Sequence, residues 1–390
     1  MKRNMRWGMG VMAGLLGCGA GPSAPTSSGP PRPATSMSPE FAALQAEGQR
    51  HGAIEGVVTQ TNIVADLAGQ AGAVDPNLKN AWGLAFNPSG PAWISANGNG
   101  TAQVYDSAGT LHLSVTIPPP SGGTPPSAPT GQIFNPDAST AFMGDLFILD
   151  TEDGTIAGWQ PSADGTAVLR VDNSASGAVY KGIAMASPIT AGGRRQLFAA
   201  NFHAGTIDVF DDHYAPVTPL GSFQDPNLPA GFAPFNVLGV GPVVLVSYAK
   251  QDADAHDDVA GPGNGVVDLY AAEGFLLQRL VTGGHLNSPW AMVFAPDAND
   301  HASIDLAVGN FGDGLINVYN LSLRGLHVDA RWEGALGDST GSPLVIQNLW
   351  ALQFGPGAGG FEADRLYFTA GPNDEMNGLF GFLTFTGPRR

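Results

Sequence analysis

Six copies of one strand pattern run through most of this chain. Each copy opens with a short apolar run and continues with further runs rich in β-branched and aromatic residues, separated by Gly, Pro, Asn and Asp. The copies start at Trp82, Thr130, Lys181, Asn236, Trp290 and Trp350. A spacing of 48 to 60 residues, filled by strands alone, is typical of propeller blades, which are sheets too small to bury their own faces. The sequence therefore predicts an all-β, six-bladed β-propeller of four-stranded antiparallel blades.

The two ends of the repeat region predict how the ring closes. An apolar run at Ile54–Val64 precedes the first full copy, whereas the sixth copy stops after the run Leu379–Phe385 and is one strand short. A free strand edge is a liability that closed rings avoid. We therefore expect the N-terminal strand to pair with the C-terminal blade within one sheet.

The first residues resemble the signal of a bacterial lipoprotein. Basic residues at positions 2, 3 and 6 precede an apolar run that is too short to span a membrane as an ordinary helix. The run ends in Leu15–Cys18, which resembles a lipobox, so residues 1–18 are predicted to be a signal peptide ending at a lipidated Cys18. A plain secretory signal with a chance cysteine is the alternative. Gly19, where an inner-membrane retention signal would place Asp, favours the outer membrane.

The remaining chain divides into a tether and a folded domain. Residues 19–53 are rich in Pro, Ser and Gly and predict a flexible tether. Within it, Glu40–Arg50 can form one short helix with Pro39 in its first turn. Residues 54–390 are assigned to the propeller. The expected protein is exported and anchored to the cell envelope through lipid alone.

Charge and cysteine content exclude several kinds of partner. The formal net charge is −17 and only 13% of residues are charged. An acidic surface repels phosphate backbones, so nucleic acid is not an expected partner. Cys18 is the single cysteine, so no internal disulfide can form. We expect a monomer.

Candidate ligand-binding residues follow from the blade pattern. In antiparallel blades the start of the innermost strand and the end of the second strand share one rim of the channel mouth. The candidates at this rim are Asn80, Trp82, Asn97, Asp150, Lys181, Asn201, His203, Tyr248, Trp290, Asn310, Asp313, Trp350 and Asn373. The turns after the second strands also contain Glu152 and Glu375. For each Asn or Asp, turn and capping roles are the alternative.

Four of these candidates occupy one position of the repeat. Trp82, Trp290 and Trp350 share it, and their two interpretations are packing between blades and stacking on a sugar or aromatic ligand. Lys181 occupies the same position in the third copy. A lysine facing the channel is unusual enough to mark this copy for attention.

An acidic loop replaces the short turn in the fourth copy. Its carboxylates Asp252, Asp254, Asp257 and Asp258 present oxygens of the kind that Ca²⁺ binds. A solvated acidic loop is the alternative, because such loops are common on acidic proteins. Ca²⁺ is thus the one cofactor for which the sequence offers candidate ligands.

Several segments resemble a known family. They are Asn62–Asp66, Asn80–Ala85, Tyr248–Ala253, Gly261–Gly265, Val308–Gly314 and Phe368–Glu375. Together they resemble an uncharacterised family of exported bacterial six-bladed propellers, similar in architecture to NHL-repeat and gluconolactonase-like propellers. The resemblance implies the fold; gluconolactonase-like members hold one divalent ion with Glu, Asn and Asp at the channel mouth.

Two functions of different classes remain open at this point. The first is a binding or interaction module that holds a small polar ligand, glycan or protein segment at the rim. The second is a Ca²⁺-dependent lactonase-like hydrolase, with a rim carboxylate such as Asp150 or Asp313 as base. Whether the protein is an enzyme is left undecided by the sequence, and no catalytic residue is assigned. Templates for serine hydrolases, zinc proteases and phosphate-binding loops are absent from it.

Overall fold

The computed structural model describes residues 39–49, 54, 56–163, 165–296, 303–324 and 327–387. The predicted signal peptide, with Cys18, lies outside them. Helix α1 spans Pro39–Gly48, close to the predicted short helix. Its Phe41 and Leu44 are buried in a cluster with residues of the propeller, so the folded part begins before residue 54. Within the described ranges, the search for a helix long and apolar enough to cross a bilayer finds none.

Six small antiparallel sheets form the ring, and the predicted all-β propeller is confirmed. Strands β1 (Val57–Ala65) and β2 (Ala73–Val74) precede the first complete blade. The strands of blades 1 to 3 are β3 (Ala81–Phe86), β4 (Ala92–Ala96), β5 (Thr101–Tyr105), β6 (Leu111–Thr116), β7 (Pro129–Phe134), β8 (Phe147–Thr151), β9 (Thr155–Trp159), β10 (Val168–Asp172), β11 (Tyr180–Ala186), β12 (Gln196–Asn201) and β13 (Thr206–Phe210). Those of blades 4 to 6 are β14 (Phe232–Val240), β15 (Val243–Lys250), β16 (Val266–Ala271), β17 (Leu276–Thr282), β18 (Pro289–Pro296), β19 (Ser303–Asn310), β20 (Ile316–Arg324), β21 (His327–Ala335), β22 (Leu349–Phe354), β23 (Leu366–Ala370) and β24 (Leu379–Thr386).

Burial within a blade follows from its place between two neighbours. Every residue of β4, β8, β19 and β23 is buried, because both faces of these second strands are covered by adjacent blades. The outermost strand β6 is mostly exposed. The innermost strands contact one another in sequence order, and β22 lies beside β3. These contacts close the ring around one axis.

The chain ends share one blade, as predicted. Strand β1 pairs antiparallel with β24, with Val57 opposite Thr386 and Ala65 opposite Leu379. The sheet order is β2, β1, β24, β23, β22. The N-terminal strand therefore supplies the fourth strand of the C-terminal blade, and β2 extends it by a short parallel pairing.

Blade 3 departs from the four-stranded pattern in its outermost strand. Its sheet contains β11, β12 and β13. The fourth position is marked by a bridge between Phe210 and Pro216 and by a hydrogen bond from the Val217 N–H to the Val209 carbonyl. Pro216 has no N–H to donate, which explains why the pairing stays this short.

A β-bulge begins the innermost strand of every blade. In each case the pairing of the innermost with the second strand shifts by one residue. The extra residue turns one side chain toward the axis. The six side chains at this position, called the bulge position below, are Trp82, Thr130, Lys181, Phe235, Trp290 and Trp350. In blade 4 the residue is Phe235, so the sequence alignment on Asn236 is wrong by one residue.

Candidate functional site

Aromatic side chains close the channel just below its mouth. The rings of Trp82 and Trp350 stack with centroids 3.5 Å apart, and Trp290 meets them edge-on at 6.4 and 5.9 Å. Phe235 and Phe311 contact Trp350 at 5.9 and 4.1 Å. These residues come from blades 1, 4, 5 and 6 and can meet only near the axis. They form an aromatic layer that separates the mouth from the rest of the channel.

Lys181 places an ammonium group beside this layer. The lysine is 2% exposed, and its Nζ donates hydrogen bonds to Glu152 Oε1 at 2.5 Å and to Asp257 Oδ1 at 3.0 Å. The Nζ also lies 5.3 Å from the centre of the Trp82 ring. Burial alone would lower the pKa of Lys181, but the charges of Glu152 and Asp257 outweigh it and the pKa is raised. The side chain is therefore a buried cation held by two carboxylates.

Hydrogen bonds extend from this cation across the mouth to blade 6. Glu152 Oε2 accepts a hydrogen bond from Asn97 Nδ2 at 2.8 Å. Asn97 Oδ1 accepts one from Asn80 Nδ2 at 3.3 Å, and Asn80 Nδ2 also donates to Glu375 Oε2 at 2.6 Å. The connected side chains, called the mouth network below, are Asn80, Asn97, Glu152, Lys181, Asp257 and Glu375. Five blades thus contribute to one polar cluster.

Glu375 is the member whose protonation changes near neutral pH. Burial, followed by the nearby charge of Glu152, raises the pKa of Glu375 to about 7. Its hydrogen bond with Asn80 and the charge of Lys181 oppose this rise without cancelling it. A carboxyl group with this pKa can both accept and donate a proton at neutral pH.

Unusual backbone conformations hold the blade 6 turn in place. Asn373, Asp374 and Glu375 have φ of 59°, 49° and 63°, so three consecutive non-glycine residues are left-handed. Each such residue costs about 1–2 kcal/mol. Asn80, on the other side of the Asn80–Glu375 hydrogen bond, has φ of 45°. Strain of this kind concentrates at functional sites, where surrounding contacts enforce it.

Asp150 lies beneath the rim, inside the bulge of blade 2. It is fully buried, and its Oδ1 accepts a hydrogen bond from Thr130 Oγ1 at 3.0 Å. Among the described residues its Oδ2 has no hydrogen-bond partner. Burial raises the pKa of Asp150 to about 7 despite the Thr130 hydrogen bond. The structure thus places this nominated base away from open solvent.

The other nominated side chains lie outside the mouth network. Asn201 Oδ1 accepts the N–H of Val179 and of Ala204, a turn-stabilising arrangement. His203 is exposed in the following turn. The hydroxyl groups of Tyr248 and Tyr270 are 2.7 Å apart, both buried within blade 4.

Blades 5 and 6 complete the nominated set. Asn310 Nδ2 donates to the His285 carbonyl at 2.8 Å and to Asp313 Oδ1 at 3.1 Å, which fixes the turn after β19. Asn373 is exposed, and its Nδ2 donates to Asn377 Oδ1 at 3.2 Å. Neither Asn310 nor Asn373 has a hydrogen bond to a side chain of the mouth network among the contacts of the described residues.

The acidic loop of blade 4 reaches the mouth through one residue. Asp257 binds Lys181, whereas Asp252 Oδ1 accepts the His256 N–H and Asp254 is exposed. Burial raises the pKa of Asp258. In the described part of the chain, the metal-ligating side chains that come within 4.8 Å of one another are Glu152, His256 and Asp257. The four loop aspartates are thus not gathered around one point.

The three acids of the mouth network are absent from the rim candidates that the sequence predicts. Asp257 belongs to the predicted metal set, and Glu152 and Glu375 lie in turns next to the candidates. A usable signal exists for Glu152: it follows the second strand of blade 2, beside the innermost strand of blade 3 that contains Lys181. A buried lysine requires a nearby acid, which points to the adjacent blade.

Comparisons with known proteins establish the fold and leave the activity open. No protein-family model matches the chain. Two uncharacterized proteins of Acanthamoeba polyphaga mimivirus are related in sequence. R648 is 28% identical over 82% of this chain and 78% of its own length, and L690 is 29% identical over 79% and 81%. Neither name assigns an activity.

Solved structures with the same fold come from several enzymes. A glucose dehydrogenase aligns with a TM-score of 0.50 and 13% identity, covering 84% of this chain and 99% of its own. A streptogramin B lyase aligns with a TM-score of 0.49 and 10% identity, covering 84% and 97%. A gluconolactonase from Xanthomonas campestris has a TM-score of 0.37 and 15% identity, covering 69% and 97%. At these identities the likeness concerns the six-bladed fold alone.

Proposed function

We propose that this propeller is a binding module whose mouth network holds a small polar ligand. The supporting observation is the buried ammonium of Lys181. Four of the other five bulge positions carry Phe or Trp, so the fold accepts an aromatic residue there. A buried ion pair is often no more stabilising than well-packed apolar residues of similar size. The charged cluster at this position is therefore best explained as a site that recognises a ligand.

The chemistry of the mouth favours a ligand that donates hydrogen bonds. Two carboxylates, from Glu152 and Asp257, bind a single ammonium group, and the carboxyl group of Glu375 belongs to the same network through Asn80. The protein as a whole carries a net charge of −17. Both features disfavour anions and favour polyols, glycan units or amines, whose O–H and N–H groups can pair with carboxylate and amide oxygens.

Binding to the mouth is testable by thermal shift. We expect a panel of neutral sugars and small amines to contain a ligand that raises the melting temperature by several degrees, because occupancy at 100 times Kd adds about 2.7 kcal/mol. Asn97→Ala should abolish the shift, since Asn97 joins Glu152 to Asn80. Asn62→Ala, on β1, is the matched control and should keep it. A shift that survives Asn97→Ala would place the site elsewhere.

A Ca²⁺-dependent hydrolase is the second candidate, supported by the proximity of Glu152, His256 and Asp257. The arrangement fits Ca²⁺ poorly, because Ca²⁺ takes six to eight oxygen ligands and the Lys181 ammonium already binds Glu152 and Asp257. We therefore expect no saturable heat when chelator-treated protein is titrated with millimolar Ca²⁺ in a calorimeter. A saturable heat that disappears in Glu152→Gln would favour the hydrolase.

We also propose that the propeller is held at the cell envelope by lipid on Cys18. The support is the sequence Leu15–Cys18 with its preceding apolar and basic residues. Cys18→Ser should move the protein from the membrane fraction to the soluble exported fraction. An unchanged membrane fraction would exclude this anchor.

A further inference from the structure

An apolar patch lies on the face of the propeller opposite the mouth. Because successive strands of a blade run antiparallel, this face is formed by the segments that follow the innermost and third strands. Ile189 follows β11, Leu220 follows β13 and Phe275 follows β16. Their exposed fractions are 63%, 70% and 52%. These three residues of blades 3 and 4 are called the apolar patch below.

Hydrogen bonds join the three segments that carry the patch. Glu273 Oε1 accepts the N–H of Thr190, next to Ile189, at 3.1 Å. The backbone carbonyl of Glu273 accepts the N–H of Gly221, the residue after Leu220, at 2.7 Å. The third member of the patch lies two residues further along the same turn. The three side chains thus extend from one hydrogen-bonded unit.

The surface around the patch has almost no charge. It consists of residues 187–193, 215–222 and 272–277, in which Glu273 is the one charged residue. Glu273 is only 8% exposed. The whole protein has 34 acidic residues and a net charge of −17, so an uncharged area of this kind is a local exception. A partner that binds through charge pairing is therefore disfavoured here.

Helix α1 connects this face with the N-terminal part of the chain. Ala43 of α1 lies against Gly241, in the turn between β14 and β15. The Gly241 carbonyl accepts the N–H of Ser187 at 2.8 Å, at the start of the loop that contains Ile189. The residues that precede Pro39 therefore join the folded domain on the face that carries the apolar patch.

We infer that the apolar patch rests on a lipid bilayer, with the mouth facing away from it. The choice of lipid as partner rests on the proposed anchor at Cys18, 21 residues before Pro39, which would hold this face near the membrane. Uncharged apolar side chains can enter the boundary between headgroups and acyl chains. Such contact is a second membrane signal, which strengthens the weak and reversible binding that one lipid chain provides.

A chain without lipid tests this contact directly. The mature chain from residue 18 onward, with Cys18→Ser, contains every described residue and no cysteine, so a fluorophore can be attached at one chosen position. A polarity-sensitive fluorophore on Leu220→Cys should shift its emission to shorter wavelengths as phosphatidylcholine vesicles are added, with saturation at millimolar lipid. The matched control is Met376→Cys, which is 68% exposed on the mouth face and should not respond. No response from Leu220→Cys, or equal responses at both positions, overturns the inference.

A double variant identifies the side chains that bind. Ile189→Ser/Phe275→Ser keeps position 220 for the fluorophore and should weaken vesicle binding about tenfold, because two apolar side chains no longer leave water. Both are exposed, so the fold should tolerate the change. Val345→Ser, at a site 58% exposed on the mouth face, should leave binding unchanged.

Two further results would contradict the inference. One is unchanged vesicle binding in the double variant. The other is an emission shift that needs no vesicles and grows with protein concentration, which would assign the patch to a second copy of the chain. Because the tested chain has no lipid and an unaltered mouth, these results do not depend on the anchor at Cys18 or on ligand binding at the mouth.

Discussion

Replacing Lys181 by Met is expected to lower the free energy of unfolding by about 3–5 kcal/mol at neutral pH, the usual effect of removing one partner from a buried ion pair. Lys181 is 2% exposed and the side chain of Glu152 is 14% exposed, so little solvent screening is available. Asp257 is largely exposed and should tolerate the loss by turning to water. The effect therefore falls mainly on Glu152, left beside Glu375 without a counter-ion. Chemical denaturation followed by tryptophan fluorescence measures it.

A double-mutant cycle separates the ion pair from simple packing. Lys181→Met/Glu152→Gln removes both charges, so it should recover most of the stability that Lys181→Met loses. Lys79→Met is the matched control, because Lys79 pairs with Asp66 but is about one-third exposed. Its loss should be smaller. A Lys181→Met loss no greater than the Lys79→Met loss would show that the buried cation is not held electrostatically.

The same double variant connects stability with the proposed function. If the fold needs the charges only for each other, the variant should be stable and still bind ligand at the mouth. Our proposal requires a stable variant that no longer binds there, because the carboxylate of Glu152 and the ammonium of Lys181 are both gone. The two interpretations thus predict the same stability for the double variant but opposite results for ligand binding.

The sequence predicted the ring well because the repeat is a property of residue type and spacing. The strand runs and the Gly and Pro residues between them predict the blades. The incomplete sixth copy predicts that the N-terminal strand completes the last blade. In blade 4 the predicted alignment is displaced by one residue, and the reason is local. The residue after the bulge position is Gly or Ala in the other blades, such as Gly182 and Ala291, but Asn236 in blade 4. Without that small residue as a marker, Phe235 was not recognised.

The site was less predictable because it depends on contacts between blades. Lys181 stood out in the sequence, but its partners come from the turn of blade 2 and the loop of blade 4. Asp257 was assigned to a metal set because its neighbours in sequence are acidic, whereas its partner in space is a lysine 76 residues away. Glu375 reaches Asn80 only through a left-handed turn that no residue of its type would favour. Charge pairing between adjacent blades is the rule that could have found Glu152.

Stability should fall as the pH rises from about 4 to 7, because three wholly or largely buried carboxyl groups hold protons unusually tightly. The pKa of Asp150, Asp268 and Glu375 is raised to about 7 in each case, with burial as the main cause. The charge of Asp225 adds to the effect at Asp268, and that of Glu152 at Glu375. The folded state therefore binds more protons than the unfolded state between about pH 4 and 7.

The sign of the pH effect follows from this difference. A carboxyl group with a raised folded-state pKa stabilises fully below its unfolded pKa, and this contribution is lost as the pH rises through the folded pKa. Acids with lowered pKa act in the opposite sense and in a lower range. Hydrogen bonds from Ser174 and Ser121 lower the pKa of Asp172 to about 2, so its contribution is lost only below about pH 4. Together these groups predict a maximum of stability near pH 4.

Asp150→Asn isolates one part of this effect, because Asp150 is fully buried and asparagine resembles the protonated acid. The variant should gain about 2–3 kcal/mol more at pH 8, where the folded wild-type protein contains a buried charge, than at pH 5, where that carboxyl group is still protonated. Its carbonyl can still accept the hydrogen bond from Thr130. Denaturation curves at both pH values measure the gain, with Asp172→Asn as the exposed control that should bring none. Equal effects of Asp150→Asn at pH 5 and pH 8 would mean that Asp150 is ionised throughout, and that the bulge of blade 2 tolerates a buried charge.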